Sequence, residues 1–271
     1  MSLTIGKQVM INKNEFPILE FDDNKNAKIT PQLLEERPYL GIEYGVICFD
    51  IKTKENFIKN YPSEIIGEVC GCGIEPQNIY KVNFEENDIV LIQGIIGGPL
   101  AAAVMEDLVA FGCKKVIAVG SAGVLNKEIA RGHLIVPTEA LRHEGTSYHY
   151  VPASRYIKHS PEVIKNVTDF LAENKIPFVC GKTWTTDAIY RETEDLVAER
   201  QKENCICVEM ENATFGAVAQ YHNIKFAQIL YGADCLDGEM WNRRDWKSDK
   251  ICQNSKYELL KLAMRLVTKI D

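Results

Sequence analysis

The chain of 271 residues lacks an excess of positive charge: it has 31 lysines and arginines against 38 aspartates and glutamates, a net charge of −7. Nucleic acids and anionic membranes are held by basic surfaces, so neither partner is expected, and an anion site has to be built locally. No apolar run approaches the roughly 20 residues of a membrane span. The amino-terminal stretch MSLTIGKQVMINKNEF lacks the apolar core of a signal peptide. These absences predict a cytoplasmic protein.

The sequence also lacks the spacings of common cofactor sites. Cys70 and Cys72, like Cys205 and Cys207, form C-x-C pairs among nine cysteines, but no histidine cluster completes a zinc site. We therefore expect buried, reduced thiols, no metal and no cofactor. No G-x-G-x-x-G follows a strand with an acid downstream, which makes an NAD-binding enzyme the least favoured alternative.

The composition is that of an ordinary globular protein, with 46% hydrophobic and 25% charged residues. There is no repeat, low-complexity linker or domain break. The length is near the upper end for one hydrophobic core, so residues 1–271 are predicted to form a single domain. Its first 60 residues are the least regular part.

Beyond residue 87, short apolar runs alternate with amphipathic stretches. Helices are predicted to begin at Pro99, at Ser160–Pro161 and, capped by its side chain, at Asn212, and another helix ends the chain. Such alternation predicts an α/β fold with a mostly parallel central sheet flanked by helices. The predicted strands are 88–94, 114–120, 133–141, 205–210 and 225–232.

Ligands of such folds bind beyond the carboxyl ends of the strands. Glycine, serine, histidine and acidic residues concentrate in the segments that follow the predicted strands, which we therefore take as the candidate site. These segments are 94–99, 120–123, 142–150, 185–193, 209–212 and 232–239.

Several side chains in these segments have two readings. Gly97 and Gly98, which open a helix, either bind an anion or form a turn, and Ser121 in Gly-Ser-Ala-Gly is equally ambiguous. Asp234 ends a buried strand, where partial desolvation suits a general acid, although it could also cap a turn. Glu211, at a strand–helix junction, could accept two hydrogen bonds from a diol or stabilise the helix dipole.

Together, the segments GIIGGP, VGSAGVL, VEMEN and GAD resemble the superfamily of nucleoside phosphorylases and nucleosidases, over roughly residues 88–270. The block RHEGTSYHY resembles the R-x-D-G-x-S-x-H stretch of uridine phosphorylases. The resemblance implies a mixed, partly barrel-like sheet, cleavage of the bond between a ribose carbon and a base nitrogen, and no metal. It also implies a homo-oligomer, either a dimer or a hexamer of dimers.

The resemblance implies roles for four of these residues. Glu211 would hold the ribose 2′ and 3′ hydroxyls, and Met210 would pack under the sugar. Ser121 would contact phosphate or sugar. Asp234 would protonate a purine base, which makes Asp234 and Glu211 the predicted catalytic residues.

The predicted base pocket follows the strand-like stretch at 177–186. Ile189 and Tyr190 fall where the superfamily places an aromatic pair against the base, although the first position is usually Phe. Arg191 and Glu192 come next, and they could read a base edge or form a surface ion pair. His149 has no assigned role, and neither does Glu209. Purine and pyrimidine bases remain equal alternatives.

The predicted phosphate site consists of Gly97, Gly98, Ser121 and Arg142. Here the chain departs from phosphorylases, which carry a G-D-P-x-R loop after the first strand and an arginine where this chain has Ala118. The segment 18–28, ILEFDDNKNAK, stands in the place expected for that loop. Either other cations complete the site, or water is the nucleophile; the alternative cations are Arg191, Arg243 and Lys25.

The sequence therefore predicts an enzyme that cleaves a ribonucleoside, with inorganic phosphate as co-substrate and ribose 1-phosphate as product. Two alternatives stay open. One is a nucleosidase that uses water, and the other is a nucleoside-binding protein that has lost its chemistry.

Overall fold

The strands of this chain form one sheet, part of which closes on itself. The computed structural model describes residues 11, 13–69, 75–244 and 250–271. Within them, five strands form a closed ring in the order β5, β10, β6, β8 and β9, and β1, β4, β3 and β2 extend the sheet from β5. The ten described strands are β1 (Tyr44–Cys48), β2 (Ser63–Val69), β3 (Gln77–Phe84), β4 (Asn87–Gln93), β5 (Lys115–Val124), β6 (Leu134–His143), β7 (Tyr156–Lys158), β8 (Phe178–Thr186), β9 (Cys205–Glu209) and β10 (Lys225–Cys235).

Helices cover both faces of this sheet. They are α1 (Pro31–Leu34), α2 (Ile51–Asn60), α3 (Gly98–Phe111), α4 (Pro161–Glu173), α5 (Glu194–Lys202), α6 (Asn212–His222) and α7 (Lys250–Leu266). Single turns of 3-10 helix occur at Pro17–Leu19, Ser147–His149 and Ile189–Arg191. No described helix has both the length and the apolar character needed to cross a membrane.

Local sequence accounts for the helix boundaries. Gly97 precedes α3 with a φ of 96°, a value that glycine adopts without strain, and Pro99 follows at the helix start. Gly112 ends α3 in the left-handed conformation. The side chains of Asp50 and Ser160 accept the backbone N–H of Thr53 and Val163 and so cap α2 and α4.

The core has two layers because the strands are buried on both faces. Val46, Ile117 and Ile229 pack with α2, α4 and α7 on one face. Ile47 and Ala118 face the other way, against α3 and α6. A mixed sheet with a barrel-like part is therefore confirmed as the fold of this chain.

The predicted elements beyond residue 87 are present, but their ends need correction. Strand β5 runs through Gly120–Gly123 to Val124, so this segment is not a loop. Asn212 is the first residue of α6 rather than its cap, which is Glu211.

The first 60 residues are also more regular than predicted. They contain β1 and α2, so the loop after the first strand is Phe49–Asp50, and not the segment 18–28. That segment follows a single 3-10 turn and contains no strand. The sequence carried no strong strand signal here because β1 has only five residues.

Candidate active site

The ends of β5 and β9 bring two of the predicted site segments together. Residues Gly123 and Val124 of β5 pair with Val208 and Cys207 of β9. The Gly120–Gly123 stretch therefore runs beside the end of β9, where the chain turns into α6.

Glu209, the last residue of β9, stabilises this turn from within. Its Oε2 accepts the backbone N–H of Glu211 at 2.7 Å and of Asn212 at 2.6 Å. Its Oε1 accepts the hydroxyls of Thr185 at 2.6 Å and Thr183 at 3.2 Å. Burial raises the pKa of the Glu209 carboxyl, and these four donors oppose that shift. The sequence left its role open, and the structure shows that Glu209 holds the turn into α6.

Glu211 joins the amino-terminal ends of two helices. It precedes α6, and its Oε1 accepts the N–H of Gly97, which precedes α3, at 2.8 Å. The Glu211 residue is only 6% exposed. Burial raises the pKa of its carboxyl, and the negative charge of Glu209 raises it further. A carboxylate offers about four acceptor positions, so Glu211 keeps capacity for two hydroxyl groups.

The two glycines predicted to bind phosphate are packed into this junction. The Gly97 N–H is directed at Glu211 rather than at open space. A Cβ on Gly98 would come within 2.7 Å of Thr146 Oγ1 and 3.0 Å of Thr214 Oγ1. The missing side chain of Gly98 thus allows the 142–150 segment to approach the start of α3.

Ser121 and Met210 lie near the carboxyl ends of β5 and β9. Ser121 is exposed in β5 and is paired in register with Tyr231 of β10. Met210 is half-buried between β9 and α6. The structure therefore brings Met210, Glu211 and Ser121 to one edge of the sheet, and their sugar-binding role stays a prediction.

Asp234 and Glu192 form an acidic pair near this edge. One oxygen of Asp234 accepts the indole N–H of Trp241 at 2.6 Å. Burial, together with the charge of Asp234, raises the pKa of Glu192 to about 7. Glu192 therefore exchanges a proton near neutral pH, close to the residue predicted to act as the acid.

The remaining residues of the predicted base pocket face solvent in the single chain. Ile189 is 54% exposed and Tyr190 is 94% exposed, both in a 3-10 turn after β8. Arg191 is also exposed and forms no ion pair with the described residues. The base-binding role of these three residues stays a prediction.

Arg142 is placed differently from a phosphate ligand on an open surface. It is buried, and its Nε donates to Ser147 Oγ at 2.9 Å. Its Nη1 donates to Pro152 O and Ser154 Oγ, both at 2.8 Å. Its guanidinium also stacks 4.0 Å from the centroid of the Tyr148 ring. To bind phosphate as predicted, the Arg142 guanidinium would have to give up some of these hydrogen bonds.

The other cations considered for phosphate are dispersed. Lys25 donates to the carbonyl of Tyr221 at 2.9 Å near the end of α6, and Arg243 is exposed. His149 is exposed in its 3-10 turn. No described guanidinium therefore occupies the place of Ala118.

Three site residues escaped the sequence analysis. Glu144 accepts the N–H groups of Thr146 and Ser147 and the hydroxyl of Thr214 within 2.9 Å, and so ties the 142–150 segment to α6. Asp187 accepts the N–H of Gly145 at 2.9 Å. The Phe49 ring lies so close to Gly94 that a Cβ there would be 2.7 Å from it. The only sequence signal was for Glu144, an acidic residue shortly before Thr146 and Ser147, whose backbone N–H groups it can accept.

The cysteines are mostly buried thiols, as expected. Cys48, Cys113, Cys205, Cys207 and Cys235 are buried, but Cys180 is exposed. The pair Cys70 and Cys72 lies outside the described residues. Among the described residues, no group of three or more His, Cys, Asp and Glu side chains is arranged to hold a metal ion.

Comparison with known proteins identifies the class of this fold and site. A model of the phosphorylase superfamily matches residues 45–267. Because this match spans most of the chain, the protein belongs to the phosphorylase superfamily. The resemblance seen in the sequence is thereby confirmed at the level of the superfamily.

Individual relatives are more distant. An uncharacterized protein, R802, of Acanthamoeba polyphaga mimivirus is 28% identical over 212 residues, which are 78% of this chain and 82% of that protein. A guanosine phosphorylase of Halorubrum lacusprofundi is 25% identical over 56% of this chain and 63% of its own length. A uridine phosphorylase of Thermococcus kodakarensis is 29% identical over 48% of this chain and 52% of its own. The alignments cover less than two thirds of either enzyme.

Solved structures share the fold. The uridine phosphorylase of Vibrio fischeri superposes with a TM-score of 0.70 at 20% identity, over 88% of this chain and 99% of that chain. The AMP nucleosidase of Bacteroides thetaiotaomicron gives a TM-score of 0.61 at 21% identity, over 85% and 93% of the two chains. Both kinds of enzyme therefore use this architecture, and the fold alone does not select the nucleophile.

Proposed function

We propose that this protein cleaves the N-glycosidic bond of a ribonucleoside with inorganic phosphate, releasing the free base and ribose 1-phosphate. The observation that carries the proposal is the buried Glu211 carboxylate, which joins the starts of α3 and α6 at the end of β9, the neighbour of the strand β5 that carries the exposed Ser121. A ribose has two adjacent hydroxyls, and a carboxylate with free acceptor positions can bind both.

The chemistry of the bond explains why a buried carboxylate serves it. As the bond between C1′ and the base nitrogen breaks, positive charge develops on the sugar ring. A carboxylate near the ring, in its ionised form, stabilises this state more than the neutral nucleoside. Glu211 is held in place by Gly97 N–H, and its backbone N–H is held by Glu209. Little reorganisation is then needed during the reaction.

The proton balance involves the acidic pair. Phosphate, as HPO₄²⁻, forms the new C1′–O bond, and the leaving base nitrogen takes up one proton. Asp234 donates this proton in the proposed mechanism and is reprotonated, in net terms, by the proton that phosphate releases. Glu192, whose pKa is raised to about 7, can pass protons to and from this position.

Phosphate as the attacking group is supported by the relatives. Two of the proteins similar to this chain are named guanosine phosphorylase and uridine phosphorylase. The block 142–150, which resembles uridine phosphorylases, is packed against the start of α6 through Glu144 and Thr214.

Water as the attacking group is the second candidate. It is favoured by the engagement of the Arg142 guanidinium with Ser147, Ser154 and Pro152. It is also favoured by Ala118, which leaves no guanidinium at the position where phosphorylases carry one.

A nucleoside panel tests the proposal. Purified protein is incubated with purine and pyrimidine ribonucleosides, with and without phosphate, and free base and ribose 1-phosphate are measured by chromatography. Phosphate-dependent release of both products is expected. Equal base release without phosphate would establish the hydrolase instead, and no release from any nucleoside would contradict both.

A further inference from the structure

Neighbouring parallel strands place polar side chains in one row near their carboxyl ends. In the register of the sheet, Cys48 of β1 lies beside Val119 of β5, and Val119 lies beside Ile229 of β10. Since side chains alternate along a strand, the residues two positions further share a face. These residues are Ser121 in β5 and Tyr231 in β10, and Asp50, which caps α2, follows two residues after the end of β1.

Lys256 of α7 reaches this row from the helix that covers it. Its Nζ donates to Asp50 Oδ2 at 2.7 Å, and its side chain is only 10% exposed. The charge of Lys256 also acts on the phenol of Tyr231. The ammonium has three N–H donors, and only one of them is used by the described residues.

Lys54 adds a second positive charge on the same face. The residue is 3% exposed, and it forms no ion pair or hydrogen bond with the described residues through its side chain. Both Lys54 and Lys256 act electrostatically on the buried Cys48 thiol. The Lys54 ammonium itself lies 6.0 Å from the centroid of the Tyr80 ring, and burial lowers its pKa, so Lys256 is the cation that pairs with Asp50.

We propose that Lys256, together with the hydroxyls of Ser121 and Tyr231, binds the attacking phosphate in the place of the guanidinium groups that this chain lacks. The inference rests on the proposed function, since it identifies the residues that hold the co-substrate. Asp50 acts as the positioning residue that fixes the ammonium. A charge-assisted hydrogen bond of this kind contributes about 10- to 100-fold in affinity.

Calorimetric titration with inorganic phosphate tests the inference directly. Wild type is compared with Lys256→Met, Lys256→Arg and the control Lys269→Met, whose side chain is exposed beyond the end of α7. The dissociation constant for phosphate is expected to rise roughly 10- to 100-fold in Lys256→Met. It should be partly restored in Lys256→Arg and unchanged in Lys269→Met.

Circular dichroism verifies that each variant is folded. Should Lys256→Met fail to fold, the double variant Asp50→Asn, Lys256→Met removes both charges of the pair and takes its place. Unchanged phosphate affinity in the Lys256 variant, or no phosphate binding by wild type, would overturn the inference.

Kinetics separate this failure from failure of the proposed function. Phosphate-dependent base release with the same KM for phosphate in wild type and Lys256→Met would contradict only the phosphate site at Lys256. Base release that needs no phosphate would sink the proposed phosphorolysis, while the titration would still decide whether Lys256 binds phosphate.

Discussion

The two glutamates that flank Met210 differ in what they bind. Glu209 has four donors around it, two backbone N–H groups and two threonine hydroxyls. Glu211 Oε1 accepts the backbone N–H of Gly97, and the residue follows β9, which pairs with the strand that carries Ser121. One carboxylate therefore builds the turn, and the other is available to a ligand.

The first prediction concerns Glu209→Ala. The change leaves buried N–H and hydroxyl groups without their acceptor, which costs roughly 1–3 kcal/mol for each unsatisfied group. We expect the free energy of unfolding, measured in urea, to fall by at least about 2 kcal/mol. The exposed control Glu128→Ala should change it by less than about 0.5 kcal/mol. Equal stability of the two variants would show that the Glu209 side chain does not stabilise the turn into α6.

The second prediction concerns the pH dependence of stability through Glu211. Burial raises the pKa of its carboxyl in the folded state, so the folded state binds a proton that the unfolded state has already released. Stability contributed by this group is present below the ordinary pKa of Glu and is lost as pH rises through the raised value. We therefore expect Glu211→Gln to be more stable than wild type at pH 8, by roughly 1 kcal/mol or more.

Urea unfolding at pH 5 and pH 8 checks this. The gain in Glu211→Gln should be larger at pH 8 than at pH 5, and turnover should fall at both values. A gain that is the same at the two pH values would mean that the Glu211 carboxyl titrates normally in the folded protein.

At the scale of elements, the site depends on the meeting of α3 and α6. Gly97 has a φ of 96° and donates to Glu211 from the residue that precedes α3. Gly132 has a φ of 80°, and its carbonyl and amide lie in a turn between β5 and β6. An added Cβ would meet nothing within 4 Å at either position. The two glycines therefore form a matched pair for substitution.

The third prediction compares Gly97→Ala with Gly132→Ala. Each change places a side chain on a left-handed backbone, which costs about 1–2 kcal/mol of stability. We expect both variants to lose this amount, but only Gly97→Ala to lose kcat/KM, by 10-fold or more, because its amide positions the Glu211 carboxylate. Equal kcat/KM in the two variants would argue against that positioning.

The fourth prediction concerns the 142–154 segment and its buried guanidinium. Arg142→Lys removes the guanidinium group that donates to Ser147, Pro152 and Ser154. The free energy of unfolding should therefore fall by roughly 2 kcal/mol. We expect the KM for phosphate to stay within about 2-fold of wild type, as the guanidinium bonds are internal. A selective rise in that KM would instead support the phosphate role predicted from the sequence.

At the scale of the whole molecule, the sequence predicted what depends on burial and periodicity. The strands beyond residue 87 are apolar because both of their faces are covered, and their ends located Ser121, Glu211 and Asp234 at one edge. The edge strand β2 is largely exposed and gave no such signal. The contacts of Glu209 could not be predicted either, since Glu209 and its partner Thr183 are 26 residues apart in sequence.

The fifth prediction is the assembly state. Tyr190 and Ile189, predicted to cover the base, are largely exposed in the single chain, and Trp241 beside Asp234 is 61% exposed. We expect a homo-oligomer in which contacts between subunits shelter these side chains. Light scattering after size exclusion should give a mass of at least twice 30.6 kDa. A monomer with full activity would contradict this expectation.

The central claim is that Glu211 holds the hydroxyls of a ribose. The most direct measurement is kcat/KM for a ribonucleoside and its 2′-deoxy analogue, in wild type and in Glu211→Gln. Wild type should prefer the ribonucleoside by 10-fold or more, and the variant should lose most of this preference, because the 2′ hydroxyl then has no carboxylate to bind. An unchanged preference in Glu211→Gln would contradict the account.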